Sequence, residues 1–582
     1  MNKLSLFNLF LSPKKLLLLI GIAFVTITST PLKASAADRL KFNLGILSFE
    51  LSIDALELYA KEGKINRELN FYTSRLDERT VSQLRRVLRR KINVNPVLLY
   101  RLTRSPMIIE LIESLGEVAT THHERNGFYA LRGSITNAAI EQPDGVTLID
   151  VLRQFPTDDI SIDAARLFEL RDELNALIEY REAIVKSVVQ QAEQEIVNAN
   201  KFLPLKDLRT PGGIAFIEKT IEIESRTADQ NVGIRSREPF RVRLYLPKGL
   251  PEPVPVAILS HGFGSEPRSF DYLSKHLASH GIAAVAVEHI GSDSDYELEI
   301  LEGAKKRTIA SREFIERPLD IHYVLDELER RNTSNSDIKG TLDLNKIGAI
   351  GHSLGGYTTL ALAGAKIDVE RLRSLCPNKK INLNISLLMQ CRAKNLEVKR
   401  QLADSRIKAA IAISPIASGI LGEESLSDIS IPTAIMSGSE DIIAPAVQEQ
   451  VYPFTWLSTE DKYLAMMIPG DHFSGSSLAR QKPDNPTLVE EFVGKRLSNG
   501  KPYVKAFVVA FIKAHVAKEE EYLSYLNTSY ARNISSQQLN FKIIRSLNLK
   551  SIEEDYEDIL PSIIPSLKKV TNKSQISNSF SK

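Results

Sequence analysis

Cysteine is almost missing from this sequence, with two residues in 582, Cys376 and Cys391. No cluster of Cys, His or acidic residues has metal-ligand spacing, so the chemistry reads as metal-free. Phosphate-binding signatures are missing too: there is no G-x-x-x-x-G-K-[ST] loop, and no G-x-G-x-x-G opens a helix. That argues against nucleotide- and dinucleotide-dependent enzymes, and no cofactor is implied. A surplus of one charge is also lacking. The 74 Lys and Arg against 72 Asp and Glu leave a net charge of +2, which gives no support to nucleic-acid binding. Past the N terminus, no stretch is apolar enough to cross a bilayer. What remains, 43% hydrophobic and 25% charged residues, suits a soluble globular protein long enough for two to four domains.

The N terminus carries an address. Lys14 and Lys15 precede an apolar run at 16–27, and Ala34-Ser35-Ala36 supplies an A-x-A cleavage site. Residues 1–36 read as a secretory signal peptide, with an uncleaved anchor as the alternative. The chain is therefore expected in the periplasm or outside the cell. Export favours a disulfide between Cys376 and Cys391 over two buried thiols. Closing that loop contributes about 3 kcal/mol on the chain-entropy account.

Residues 37–160 read as a helical N-terminal domain, with amphipathic segments at 54–60, 78–88, 96–102 and 106–115. Within it, Arg85, Arg86, Arg89, Arg90 and Lys91 read as a solvated helix face, with contact to anionic lipid as the alternative. The pair His122–His123 reads as surface. Residues 161–205 hold one long amphipathic helix and a linker, ending near Pro204 and Pro211-Gly212-Gly213. From there to about 530 the periodicity changes. Two alternating segments, 216–225 and 239–246, precede short apolar runs at 256–259, 282–287, 347–350, 409–413, 433–436 and 463–468. Helical patterns at 270–279, 315–328 and 355–365 separate most of these runs, and another at 504–514 follows the last. The alternation indicates an α/β fold with a mainly parallel sheet and helices on both faces. Two insertions interrupt it, 366–408 and 474–501, the first with the position of a cap. Residues 531–582 read as a C-terminal tail, disordered in part.

One motif organises the rest. A strand runs into Gly351-His352-Ser353-Leu354-Gly355, and an Ala/Leu-rich helix leaves it. G-x-S-x-G alone arises by accident about one time in five in a chain this long. Between a strand and a helix it is a nucleophile elbow, whose sharp turn excludes side chains beside the serine. Three further stretches converge on Ser353. Ser260-His261-Gly262-Phe263-Gly264 follows a strand, and its Phe263 amide pairs with that of Leu354 as an oxyanion hole. Asp441 stands in the loop after a later strand, with Glu440 and Asp471 as alternative acids. Asp471 adjoins the histidine in sequence, a poor position from which to reach its ring. His472 follows the next strand and is the candidate base. His261, His289 and His352 are read as structural or rim residues. The chain order Ser353, Asp441, His472 is that of α/β-hydrolases.

The stretches VAILSHGFG at 256–264, LASHG at 277–281, VAVEHIGSD at 285–293, RPLDIHYVLDEL at 317–328 and IGHSLGG at 350–356 resemble the platelet-activating-factor acetylhydrolases. They are similar, less closely, to dienelactone-hydrolase-type enzymes, whose nucleophile is usually cysteine. The likeness spans about 240–472 and omits the insertion at 366–408. Separately, FYALRG at 128–133 and GVTLIDVLRQFP at 145–156 resemble an N-terminal domain of unknown function that precedes such hydrolases in cyanobacterial exported proteins. These resemblances imply an α/β-hydrolase fold and a serine esterase acting on short or oxidised acyl esters of lipids. The implied partner is a small-molecule or lipid ester, with peripheral contact to a membrane surface admitted and the oligomeric state open. A peptidase or polyester hydrolase is the alternative within enzymes, and a catalytically silent binding module the alternative outside them.

Overall fold

The computed structural model describes residues 36–564 except 94, 95, 105, 122–124, 198–204, 225–237, 302, 303, 305–308, 335, 336, 377–383, 477–499 and 559. The signal-peptide residues 1–35, the pair His122–His123, most of the second insertion and the tail from 565 lie outside it. Among the described residues no helix is long and apolar enough to cross a membrane.

The N-terminal domain is not purely helical. Strands β1 (Arg39–Leu44) and β2 (Leu47–Ser52) form a hairpin. β1 also pairs in parallel with β4 (Asp159–Asp163), which runs antiparallel to the two-residue β3 (Ala119–Thr120). Leu40, Leu51, Ile160 and Ile162 bury their side chains against Leu56, Tyr59, Leu69, Leu88 and Phe155 from the surrounding helices and loops. Periodicity misses these strands because each buries only one or two residues, too few to establish a period of two. The domain accordingly runs to Asp163 rather than 160. Arg85, from the basic cluster, donates to the carbonyls of Tyr59 and Lys61 at the end of the helix Ile53–Glu62.

Helix α1 (Ala164–Val197) follows directly. Tyr180, Ile184, Val188 and Ala192, spaced four apart, are fully buried in the core of the larger domain. Burying Ile184 and Val188 stabilises that contact by about 1.5–3 kcal/mol each. Tyr180 Oη lies 2.5 Å from Tyr452 Oη, which donates to Glu553 at 2.8 Å.

Among the described residues the larger domain is built on nine strands: β5 (Phe216–Ile223), β6 (Phe240–Pro247), β7 (Val254–Ser260), β8 (Ala283–Val287), β9 (Leu342–His352), β10 (Ile407–Ile413), β11 (Thr433–Gly438), β12 (Lys462–Ile468) and β13 (Asn540–Ile544). Their order is β13-β12-β11-β10-β9-β7-β8-β6-β5. β8, β7, β9, β10, β11 and β12 are parallel, and β5, β6 and β13 complete the edges antiparallel. Alternate residues serve the two faces. Ala257 and Leu259 of β7 pack with α2 (Asp271–Ser279), while Val256 and Ile258 meet α3 (Glu313–Thr333). Helix α4 (Leu354–Leu362) lies on the same face as α3, and α5 (Lys501–Phe511) on the face of α2. The continuous apolar runs in the sequence mark strands covered on both faces.

The reading of 531–582 as a tail is corrected by β13 and by the helices Lys550–Asp555 and Leu560–Ile563 that follow it. Five residues with Lys542 at their centre give no clear strand signal. Lys542 is nevertheless buried, because its ammonium reaches Glu193 of α1 at 2.9 Å. In the first insertion, the helices Val369–Leu375 and Ile385–Gln390 pack through Leu372 and Met389 against the α4 side of the core, and Leu387 is buried beside Gly419. Cys376 and Cys391 form a disulfide with Cα atoms 5.6 Å apart.

Candidate active site

Ser353 joins β9 to α4 in a backbone conformation with φ 55° and ψ −117°. Its amide donates to Ile413 at 2.9 Å, which pins the turn to β10. The flanking glycines are sterically required. A Cβ on Gly351 would lie 1.9 Å from the carbonyl oxygen of Gly355, and one on Gly355 would lie 1.9 Å from that of Ser260. The loop after β7 therefore touches the elbow. A Cβ on Gly262 would come within 3.4 Å of Ser353 Cβ and 3.2 Å of His352 Nδ1. Phe263 follows Gly262 in this loop, and its ring packs edge-on against Tyr296.

Asp441 and His472 come from the loops after β11 and β12. His472 Nδ1 lies 2.7 Å from Asp441 Oδ2, and both side chains are buried. A carboxylate in this position accepts, so Nδ1 carries a proton. Asp441 also accepts from the amides of Ile443 and Ala444 at 3.0 and 2.9 Å and from Gln450 Nε2 at 2.8 Å. The alternative acids are placed elsewhere. Glu440 is exposed, and Asp471 accepts from the Phe473 amide and the Ser474 hydroxyl of its own turn.

His352, the residue before the serine, ties the base to the elbow. Its Nε2 donates to the His472 carbonyl at 2.8 Å, with the two rings 4.9 Å apart. Burial, with His472 nearby, pushes His352 down to about 3, so it is neutral and carries its proton on Nε2. A second pair sits beneath the loop of Gly262. His289 bridges Asp320 at 3.1 Å and the Ser260 hydroxyl at 2.9 Å, and its amide donates to His261 Nε2. Burial and the neighbouring Arg317 guanidinium hold His261 well below its ordinary value. His261 and His289 thus bind one another and the strand ends beneath the loop. Among the described residues no group of three or more His, Cys, Asp or Glu is arranged to hold a metal.

Sequence reasoning missed the segment 447–451. Gln448, Glu449 and Gln450 are all buried. Glu449 accepts from Asn384 and Gln390 of the first insertion at 2.5 and 2.9 Å, from the Ala417 and Ser418 amides, and from the Ser418 hydroxyl. Three successive polar residues between Val447 and Val451 look like a solvated helix face. The turn is wound as a π-type helix and enclosed on every side, so all three are buried with Val447 and Val451.

With strand order, elbow and the placement of acid and base described, comparison with known proteins adds one match. Residues 36–163 match the model of a family described as "Alpha/beta hydrolase of unknown function (DUF1400)". The chain has an α/β-hydrolase fold. The matched stretch is the N-terminal domain, ending at the last residue of β4, whereas the hydrolase sheet and Ser353 lie beyond it. No curated protein matches the chain.

Proposed function

We propose that this hydrolase is a serine esterase that cleaves carboxylic esters through an acyl-enzyme. The reading rests on one observation above the rest: Asp441 fixes His472 with its proton on Nδ1, beside an elbow whose His352 holds the His472 main chain. In this mechanism His472 Nε2 takes the Ser353 hydroxyl proton as Oγ attacks the ester carbonyl. The Phe263 and Leu354 amides receive the oxyanion, each donor being worth roughly 10²–10³ in rate. The alcohol leaves with the proton from His472. Water then gives a proton to His472, attacks the acyl group and regenerates Ser353. Short or oxidised acyl esters of lipids are the proposed substrate class, by the resemblance of 256–264 and 350–356. Action outside the cytoplasm is proposed from the sequence at 1–36, and the disulfide supports it.

A fluorophosphonate probe tests the chemistry. The native protein should label, and Ser353→Ala should not. Equal labelling of the variant, or a folded native protein that stays unlabelled, removes the esterase reading and favours a silent module. Nitrophenyl esters of increasing acyl length, set against the matching amides, test the substrate class. Faster amide turnover would make the protein a peptidase.

A further inference from the structure

Gln450 has no place in the usual account of a serine, a histidine and an acid, yet it touches the acid directly. Its side chain is fully buried, and Nε2 donates to Asp441 Oδ2 at 2.8 Å and to the Ala444 carbonyl at 2.7 Å. Both neighbours are acceptors, so the amide can stand only one way round. The oxygen it contacts is the same Oδ2 that receives the His472 proton, whereas Oδ1 is taken by the Ile443 and Ala444 amides. Oδ2 therefore serves two donors at once. Without Gln450, it would bind the histidine alone.

We infer that Gln450 is a positioning residue for the Asp441–His472 pair, fixing the direction of Oδ2 and moderating its hold on the imidazole. The inference rests on the esterase reading for its kinetic consequence but not for its structural one. Sharing an acceptor weakens each bond to it, so a lone His472 donor would bind Oδ2 more strongly. The carboxylate would also be free to turn about the bond to its Cβ, and the ring would follow it. Glu449, the residue before, faces the other way and anchors the first insertion, so one turn of chain serves two contacts with separate partners.

The test compares Gln450→Met, which keeps the volume and removes both donors, with Glu449→Gln, which alters the same turn without touching Asp441. Protein labelled with ¹⁵N-histidine reports the His472 Nδ1 proton directly, whether or not the protein turns over an ester. In Gln450→Met this resonance should move further downfield, with kcat on a nitrophenyl ester falling about tenfold at unchanged KM. In Glu449→Gln it should stay in place. Where Gln450→Met does not fold, Gln450→Asn takes its place, since it withdraws the amide by one methylene, and the same displacement is expected. An unmoved proton in a folded Gln450 variant overturns the inference, and so does the same displacement in Glu449→Gln. If neither Gln450 variant folds, the residue belongs to stability and the inference falls. A native protein inert to fluorophosphonate overturns the esterase reading instead, and the proton resonance then decides the role of Gln450 by itself.

Discussion

Ser353 holds a backbone conformation that L-residues adopt rarely, and such strain costs about 1–3 kcal/mol. It persists because its surroundings leave no alternative, with the Ile413 carbonyl on one side and the Gly262 loop on the other. Gly355 is the tightest point of that enclosure. Gly355→Ala would drive a methyl into the Ser260 backbone, so a loss of roughly 4 kcal/mol or more is expected, read from urea unfolding. A variant as stable as the native protein would show that the loop after β7 yields easily. At this scale the sequence was legible where a candidate residue sits at a strand end. Ser353, Asp441 and His472 each follow an apolar run by a few residues, and the structure brings Asp441 and His472 together. Gln450 was not legible, because its burial depends on the structure packed around its turn and not on its neighbours in sequence.

Among the elements, the first insertion is held by three kinds of bond. Its helices bury Leu372 and Leu387, Asn384 and Gln390 donate to Glu449, and the disulfide closes the loop between Cys376 and Cys391. On the chain-entropy account, removing the disulfide over a separation of 15 residues costs about 3 kcal/mol. Cys376→Ser/Cys391→Ser should therefore unfold at lower urea than the native protein, and reductant should bring the native protein to the same midpoint. Identical midpoints with and without reductant would show that packing and Glu449 already fix the insertion. The hydrolase strands from β5 to β12 were legible because β5 and β6 alternate polar with apolar residues and the others are apolar runs bounded by turns. β13 and the strands of the N-terminal domain were not. Each is short and is defined by the partner it pairs with more than by its own pattern.

For the whole molecule, α1 follows the N-terminal domain in sequence but belongs energetically to the hydrolase. Tyr180, Ile184, Val188 and Ala192 are packed into its core, and Glu193 holds Lys542. A chain shortened to begin at residue 164 should stay soluble and monodisperse, whereas one beginning at 205 should aggregate by exposing that seam. Equal behaviour in size-exclusion chromatography would contradict this assignment. Acid sensitivity is a second property of the whole. Burial lowers His276 to about 4, His515 to about 4 and His352 to about 3. The unfolded chain takes up protons on these rings near pH 6.5, before the folded one does. Stability should therefore be full above pH 6.5 and decline as the pH falls from there toward 4. Asp293, raised to about 6 by burial, works in the opposite sense but is a single group. Urea midpoints at pH 7, 6 and 5 should fall in that order, and a flat series would contradict the burial of these histidines.

β13 is the last strand among the described residues, and its first residue, Asn540, pairs with Ile468, the final residue of the strand that leads to His472. This fixes a schedule for biosynthesis. The ribosome delivers the elbow long before the strand that closes the sheet beside the base. A nascent or prematurely ended chain holds Ser353, Asp441 and His472 with the outer edge of β12 uncovered. The edge of the strand that leads to His472 is therefore covered only once residues 540–544 have been made.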